Sequence, residues 1–380
     1  MRLSVPWGIF GYGNIGDEAM LKGFRHLVDG YPRKLDVQIA SQNPGHATAV
    51  EPGFRYYKQN GISFRKWWAA RRSRAQLIVG DTPIADRLGR WPLEELAHLA
   101  EDASRKKQPL AFLGTGTETL EHQASEKLVR ERLAPRVVHW SVRSERDKER
   151  LLRYGIEATR VNVAADLAWL LEPAEKEFAK TEFEKTGIRG RGPTIGVNLI
   201  DEPYSRREVP ELSKRVAEVL DFLVKEHEAR IVFFCNDVRE AEGFDKAANQ
   251  NVRIQMRHGE GTHAVENRYW SPAQMMSMIG VCDYTMSMRY HFCLFSAVQG
   301  VPFLAMQRSD KVQDLCTQID WQNGVRLKDF AVPLVAKLFS EMRRNKSELT
   351  ESLNQQTAKM REQAKLNVRA LDAVCACAGG

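Results

Sequence analysis

Short apolar runs and longer amphipathic ones alternate along the chain. The runs "PWGIFG" (6–11), "DVQIAS" (36–41), "AQLIVG" (75–80), "LAFLG" (110–114), "VVHWSV" (137–142) and "RVNVA" (160–164) have the length of strands. Helical spacing occupies 17–29, 93–106, 122–133 and 144–154 between them. Nearly continuous apolar strands separated by helices predict a parallel sheet covered on both faces. The stretch "LEPAEKEFAKTEFEKTGIRGRGP" (171–193) is charged and ends in a Gly/Arg/Pro cluster, so it reads as a solvated helix and then a linker. The rhythm then restarts, with strands expected at 194–199, 230–235, 252–256, 282–287 and 302–306. Helices are expected near 210–227, 238–248, 272–279 and 291–299, and 333–375 reads as mostly helical. Two such alternations predict an α/β protein of two doubly wound, Rossmann-like domains facing a cleft. The expected division is 1–172, a linker at 173–193, and 194–380. Ligands of such sheets bind at the carboxyl ends of strands, so the chemistry is sought there.

A length of 380 residues suits two domains, and 43% hydrophobic with 28% charged residues is ordinary for a globular chain. No apolar run approaches the roughly 20 residues that span a bilayer. The start "MRLSVPWGIFGYG" has no long apolar segment and no small-residue cleavage site, so no secretory signal is expected. Six cysteines are scattered, and Cys375 and Cys377 form C-x-C without companion ligands at metal spacing. No metal and no cofactor are expected, and the compartment is read as a reducing cytoplasm. The net charge of +7 favours an anionic substrate or surface. Nucleic acid is not expected, because zinc-finger spacing, RRM-like aromatic motifs and a long basic arm are all missing from the sequence.

The loop "GYGNIGDEAML" (11–21) contains Gly11, Gly13 and Gly16 at the G-x-G-x-x-G spacing that cradles a dinucleotide. Two features oppose that use. The second predicted strand ends "IASQN" (39–43) without a ribose-holding carboxylate, and Asp17 and Glu18 stand where a pyrophosphate would sit. A tight turn with acidic helix caps and a ligand-binding loop both remain open for this segment. In "YTMSMRYHFCLFSAVQGVPFLAMQRSDK" (284–311), Arg289 and His291 follow a strand and open an apolar helix. Arginine grips carboxylate or phosphate with a two-pronged fork, and histidine is easily tuned for proton transfer near neutral pH. The alternative is a capping histidine beside a surface arginine. Arg143 likewise follows the strand 137–142, and Asp166 follows 160–164, where a helix cap is the competing reading. The segment "FRKWWAARRSRAQ" (64–76) mixes tryptophans with arginines. It suits either a peripheral contact with the inner face of a membrane or a helix with its tryptophans in the core.

Three blocks resemble the polysaccharide pyruvyl transferase family: "GYGNIGDEAML" (11–21), "SVRSERDKERLLRYGI…VNVAADLAWLL" (141–171) and "SMRYHFCLFSAVQGVPFLAMQRSDKVQDL" (287–315). Departures are Ser144 for an Asp, Gly80-Asp81-Thr82 for three glycines, Tyr290 for Leu, and Gln307 for an aromatic residue. The resemblance implies a GT-B-like fold and transfer of the enolpyruvyl group of phosphoenolpyruvate to a sugar, forming a pyruvate ketal in exopolysaccharide or polysaccharide biosynthesis. It implies donor binding by Arg143, Arg289 and Lys311, and proton transfer by His291. The acceptor, a free, nucleotide-linked or lipid-linked sugar, is expected at Asn14, Asp17 and Glu18, with Asp17 as helix cap and Glu18 toward the acceptor. Two other classes fit the same architecture. A nucleotide-sugar glycosyltransferase would want a late carboxylate, for which Asp310 and Asp314 are at hand. A carbohydrate-binding protein without activity would not need the Arg-x-His turn.

Overall fold

The computed structural model describes residues 1–60, 71–87 and 89–379. The chain packs as two units. The first comprises Met1–Tyr12, Asp17–Leu171 and Met360–Gly380, and the second Gly13–Gly16 and Glu172–Lys359. The sequence pattern assigned all of 194–380 to one domain and all of 1–172 to the other. Met360–Gly380 instead groups with the first unit and the four residues 13–16 with the second.

In the first unit the strands are β1 (Arg2–Val5), β2 (Asp36–Ser41), β3 (Arg55–Lys58), β4 (Ala75–Val79), β5 (Leu110–Thr115), β6 (Val137–Val142) and β7 (Val161–Val163). They pair in parallel in the order β3-β2-β1-β4-β5-β6-β7. The helices are α1 (Ile15–Asp29, whose first two residues belong to the second unit), α2 (Pro44–Val50), α3 (Leu93–Arg105), α4 (Gln123–Leu128) and α5 (Glu145–Arg153). Every residue of β4 and β5 is buried, as a sheet covered on both faces requires. Phe112 and Trp140 stack at 4.1 Å between neighbouring strands.

The second unit repeats the plan: α6 (Lys176–Lys185), β8 (Thr194–Asn198), α7 (Pro203–Glu208), α8 (Leu212–His227), β9 (Arg230–Phe233), α9 (Asp245–Gln255), β10 (His263–Ala264), α10 (Pro272–Ile279), β11 (Tyr284–Ser287), α11 (Tyr290–Val298), β12 (Phe303–Gln307), α12 (Asp310–Gln318), β13 (Gly324–Arg326) and α13 (Val332–Arg344). Its parallel sheet runs β10-β9-β8-β11-β12-β13. Strand order therefore reverses between β8 and β11, the switch point where doubly wound sheets open a crevice at their carboxyl ends. Sequence explains the local choices. Helix α10 opens with Ser271-Pro272-x-Gln274, a capping box in which Ser271 and Gln274 satisfy each other's backbone N–H. Helix α11 is apolar nearly all round and is buried from Phe292 to Ala297, which fixes whatever its first turn carries. Helix α14 (Lys346–Lys365) begins in the second unit, and α15 (Val368–Gly379) closes the chain in the first. Asn367 anchors that return, donating to Ala165 O and Ala364 O and accepting from Ser141 Oγ.

The structure differs from the sequence pattern at several elements, four of them instructive. The first strand is 2–5, not 6–11, because buried Ser4 bonds the Tyr57 hydroxyl and so breaks the apolar run. "VRIQM" (252–256) is the end of helix α9 rather than a strand. Ala248, Val252 and Met256 line one helical face while Ile254 is 83% exposed, so the apparent alternation is i, i+4 spacing. β3 and β13 are too short to show a period.

Candidate functional site

At the switch point of the second sheet, Asn198 and Ser287 are register partners at the ends of β8 and β11. Both are buried polar residues, and each is spoken for. Ser287 Oγ donates to Asn198 Oδ1 (3.1 Å) and accepts from the Arg289 backbone N–H (2.9 Å). Asn198 Nδ2 donates to Phe234 O and to Asp245 Oδ2 (2.8 Å). Asp245, the first residue of α9, is wholly buried. Its Oδ2 also takes the backbone N–H groups of Asn236 (2.8 Å) and Asp237 (3.1 Å). Its Oδ1 takes Arg289 Nε (3.0 Å) and Nη2. Asp237, also wholly buried, lies 3.6 Å from Arg289 Nη2 and pairs with Arg239. Arg289 is the N-cap residue of α11, and its side chain is only 12% exposed. Burial would lower its pKa, but Asp245 and Asp237 outweigh burial and raise it, so the guanidinium stays charged. Its Nη1 bonds no described residue.

His291 sits in the first turn of α11, half-buried, with Tyr290 edge-on at 5.1 Å and Phe295 at 6.2 Å. Its Nδ1 occupies the space beside Gly16: a Cβ there would lie 2.2 Å from Nδ1 and 2.6 Å from Cγ. The third glycine of G-x-G-x-x-G therefore makes room for an imidazole. The segment 13–16 joins this unit through Ile15 N–H to Asn236 O (2.8 Å), Val238 N–H to Gly13 O (3.1 Å) and Asn236 Nδ2 to Asn14 Oδ1 (3.2 Å). Asn14 Oδ1 also accepts the Gly16 N–H (3.0 Å), a capping contact at the start of α1. Lys311 lies half-buried in the first turn of α12. Arg308 precedes that helix, bonding Met288 O through Nε and Glu202 through Nη1.

The remaining sequence candidates lie in the first unit. Arg143 follows β6, with its side chain 7% exposed. Nη1 donates to buried Asp166 (2.9 Å) and Nη2 to Thr82 Oγ1 (2.7 Å). Here too a glycine yields the space: a Cβ on Gly116 would lie 2.0 Å from Arg143 Nη2. Asp166 both caps, accepting from Ala168 N–H, and pairs with Arg143. Ser144, in the place of a family aspartate, caps α5 through Asp147 N–H. Asp81 adopts φ +57° directly after Gly80 at φ +66°, the left-handed backbone that a glycine run supplies readily. Asp17 is 5% exposed and Glu18 wholly buried. Glu18 Oε1 accepts the Gly11 N–H (3.0 Å) and lies 3.6 Å from His46 Nε2. Glu18 thus shapes the glycine loop from within. Burial lowers the His46 pKa.

Of the segment 64–76, residues 64–70 lie outside those described; Arg71, Arg72 and Arg74 are exposed. Among the described residues no helix is long and apolar enough to cross a membrane, and no group of three or more His, Cys, Asp or Glu is placed to hold a metal ion.

A family model described as polysaccharide pyruvyl transferase matches residues 14–310. The chain belongs to that family. No curated protein matches the chain in sequence. Among solved structures, the chain is similar to HepE from Anabaena in complex with UDP and glucose (TM-score 0.64, 8% identity, 99% of this chain and 98% of that one). It is also similar to UDP-GlcNAc 2-epimerase from Neisseria meningitidis bound to UDP-GlcNAc (0.62, 12%, 98% and 99%). The Methanocaldococcus jannaschii UDP-GlcNAc 2-epimerase gives 0.61 and 11% over 98% and 99%. At these identities the likeness is one of fold, the GT-B class of α/β protein with two parallel sheets. Family membership accounts for the arginine, histidine and glycine blocks. Asp237, Asp245, Asn198 and Asn236 carried no motif signal. Asn236 and Asp237, the two residues directly after the apolar run 230–235, stood at positions that loop reasoning could have flagged.

Proposed function

We propose that this family member is a transferase that uses phosphoenolpyruvate to place a pyruvate ketal on a sugar of a polysaccharide or its precursor. Family membership supports the reaction, and one observation carries the assignment of the donor. The Arg289 guanidinium is fixed at a strand end and helix N-terminus next to His291, with Nη1 bonded to no described residue. A small anion bearing carboxylate and phosphate suits that arrangement. Lys311, in the same unit, is assigned to the same donor by the family motif alone, and Arg143, whose terminal nitrogens go to Asp166 and Thr82, to holding the strand-end loops of the first unit. Asn14 and Asp17 are assigned to the acceptor hydroxyls, and Glu18 to holding the Gly11 loop that carries them.

The chemistry balances without a redox partner or water. One sugar hydroxyl adds its oxygen to C2 of the donor while a proton reaches the C3 methylene, which becomes methyl. The second hydroxyl displaces the phosphate at C2, and its proton leaves with the phosphate. His291 is the residue for one of these proton transfers, and Arg289 stabilises charge on the departing group.

The fold neighbours that hold UDP or UDP-GlcNAc favour a second reading, a nucleotide-sugar enzyme. Thermal shift with phosphoenolpyruvate, UDP-GlcNAc or free sugar separates the readings, since a ligand of the folded state raises Tm. The deciding assay incubates the protein with phosphoenolpyruvate and a panel of sugars, reading phosphate release and product mass. Stabilisation by UDP-sugars with no phosphate release from phosphoenolpyruvate would overturn the proposal.

A further inference from the structure

We infer that Asp245 is the positioning residue of the donor site: it fixes the Arg289 fork so that Nη1 alone is presented to an incoming anion. The inference rests on the donor reading above. A guanidinium has five N–H donors in one plane, so fixing two of its nitrogens fixes the third. Asp245 Oδ1 holds Nε and Nη2 of Arg289 at once. The carboxylate cannot swing to follow the arginine. Its other oxygen is pinned by the side chain of Asn198 and by the backbone N–H groups of Asn236 and Asp237. The side chain of Asn236 in turn bonds Asn14, which caps the turn holding Gly16 against His291. One buried acid thereby ties together the anion-binding arginine and the loop that seats the imidazole. A second buried acid, Asp237, stands 3.6 Å from Nη2, so that edge of the fork is closed to a second anion.

Asp245 touches no reacting atom in this scheme, so its effect must pass through Arg289. That sets the test, a double-mutant cycle in the full chain with phosphoenolpyruvate as probe. Asp245→Asn keeps the shape but must offer either an acceptor or an amide to Arg289, so it weakens donor binding about 10- to 100-fold, the range for a charged hydrogen bond. Arg289→Lys keeps the charge but has no fork to orient. In the Arg289→Lys background, Asp245→Asn should therefore change donor affinity by less than about twofold, since coupled sites are not additive. An equal loss in both backgrounds, or unchanged affinity in the wild-type background with only a lower Tm, overturns the assignment in favour of a purely structural role. Should Asp245→Asn fail to fold, the wild type decides. The Arg289 Nε–H signal, assigned by its loss in Arg289→Lys, should exchange with solvent far more slowly than those of exposed arginines. Exchange as fast as theirs overturns the role of Asp245 whatever the ligand is. A wild type that binds no phosphoenolpyruvate, with the Nε–H still protected, overturns the donor reading instead.

Discussion

Replacing Gly16 by alanine adds one methyl group at the point where His291 is seated. The new Cβ would lie 2.2 Å from Nδ1, 2.6 Å from Cγ and 3.0 Å from Cε1. Ordinary contact starts at 3.4 Å, so the ring must retreat by more than an ångström on its near side. Because Cγ is among the clashing atoms, turning the ring about its own axis cannot relieve the overlap; the whole side chain must move. Overpacking of this kind costs about 1–3 kcal/mol, against a helix-propensity gain of up to about 1 kcal/mol for alanine over glycine. Net destabilisation should therefore stay at roughly 0–3 kcal/mol, and the protein should fold. A displacement of about 1 Å in a catalytic group costs on the order of 100-fold in rate. Gly16→Ala should lower kcat for phosphate release by about that factor and leave phosphoenolpyruvate affinity near wild type, because Arg289 does not move. Gly45→Ala is the control: its Cβ would meet nothing closer than 3.5 Å, and kinetics should not change. Steady-state kinetics with calorimetric donor titration and a melting curve make the measurement. Wild-type turnover in a folded Gly16→Ala protein would refute the placement of His291 as the proton-transfer group.

His291→Ala should retain donor binding and lose about 10²–10⁴-fold in turnover, read in the same assay. Arg289→Ala should lose donor binding and also about 3–5 kcal/mol of stability, since wholly buried Asp245 loses its charged partner; urea denaturation checks the second part. Asn367→Ala strips Ser141 Oγ, Ala165 O and Ala364 O of a buried partner and should cost about 2–4 kcal/mol in the same experiment with no change in donor affinity. Burial, with Asp245 second, pushes the Cys235 thiol up to about 12, and burial raises Cys282, Cys293 and Cys316 as well. Thiolate is the reactive form, so alkylation of the native protein at about pH 8 should label exposed Cys377 and spare those four, as peptide mass spectrometry will show.

The α/β alternation was legible because parallel strands buried on both faces leave continuous apolar runs, as in "AQLIV" and "LAFLGT". Legibility failed where a strand is short or half polar. β13 has three residues, and β1 hides Ser4 in its middle. It failed again at "VRIQM", where five residues fit both a strand and the last turn of a helix, and only the partner Ala248 one turn earlier separates the two. The return of Met360–Gly380 to the first unit carries no local signal at all. It is held by contacts made some 200 residues away in sequence, among them Asn367 to Ala165 O and Arg361 to Trp169 O and Leu171 O, and by the buried face Ala370, Leu371 and Val374 of the last helix.

Site chemistry shows a sharper divide between residue type and residue orientation. Arg143 and Arg289 look alike in sequence, each placed directly beyond an apolar strand and ahead of a helix. In the structure each meets a buried aspartate, Asp166 or Asp245. The difference lies in which nitrogens the protein takes. Arg143 spends both terminal nitrogens on Asp166 and Thr82, with Gly116 tight against its plane. Arg289 spends Nε and Nη2 on Asp245 and bonds no described residue through Nη1. An arginine held through both termini stiffens its surroundings. One held along a single edge presents a fixed donor whose orientational entropy is lost before a ligand arrives, and that is the condition for electrostatic preorganisation. No spacing rule distinguishes the two, because the partners that decide it come from α9 in one case and from the loop after β4 in the other. Motif matching therefore finds both arginines, while the terminal nitrogen that the described residues leave unbonded singles out Arg289 as the one built to meet an anion.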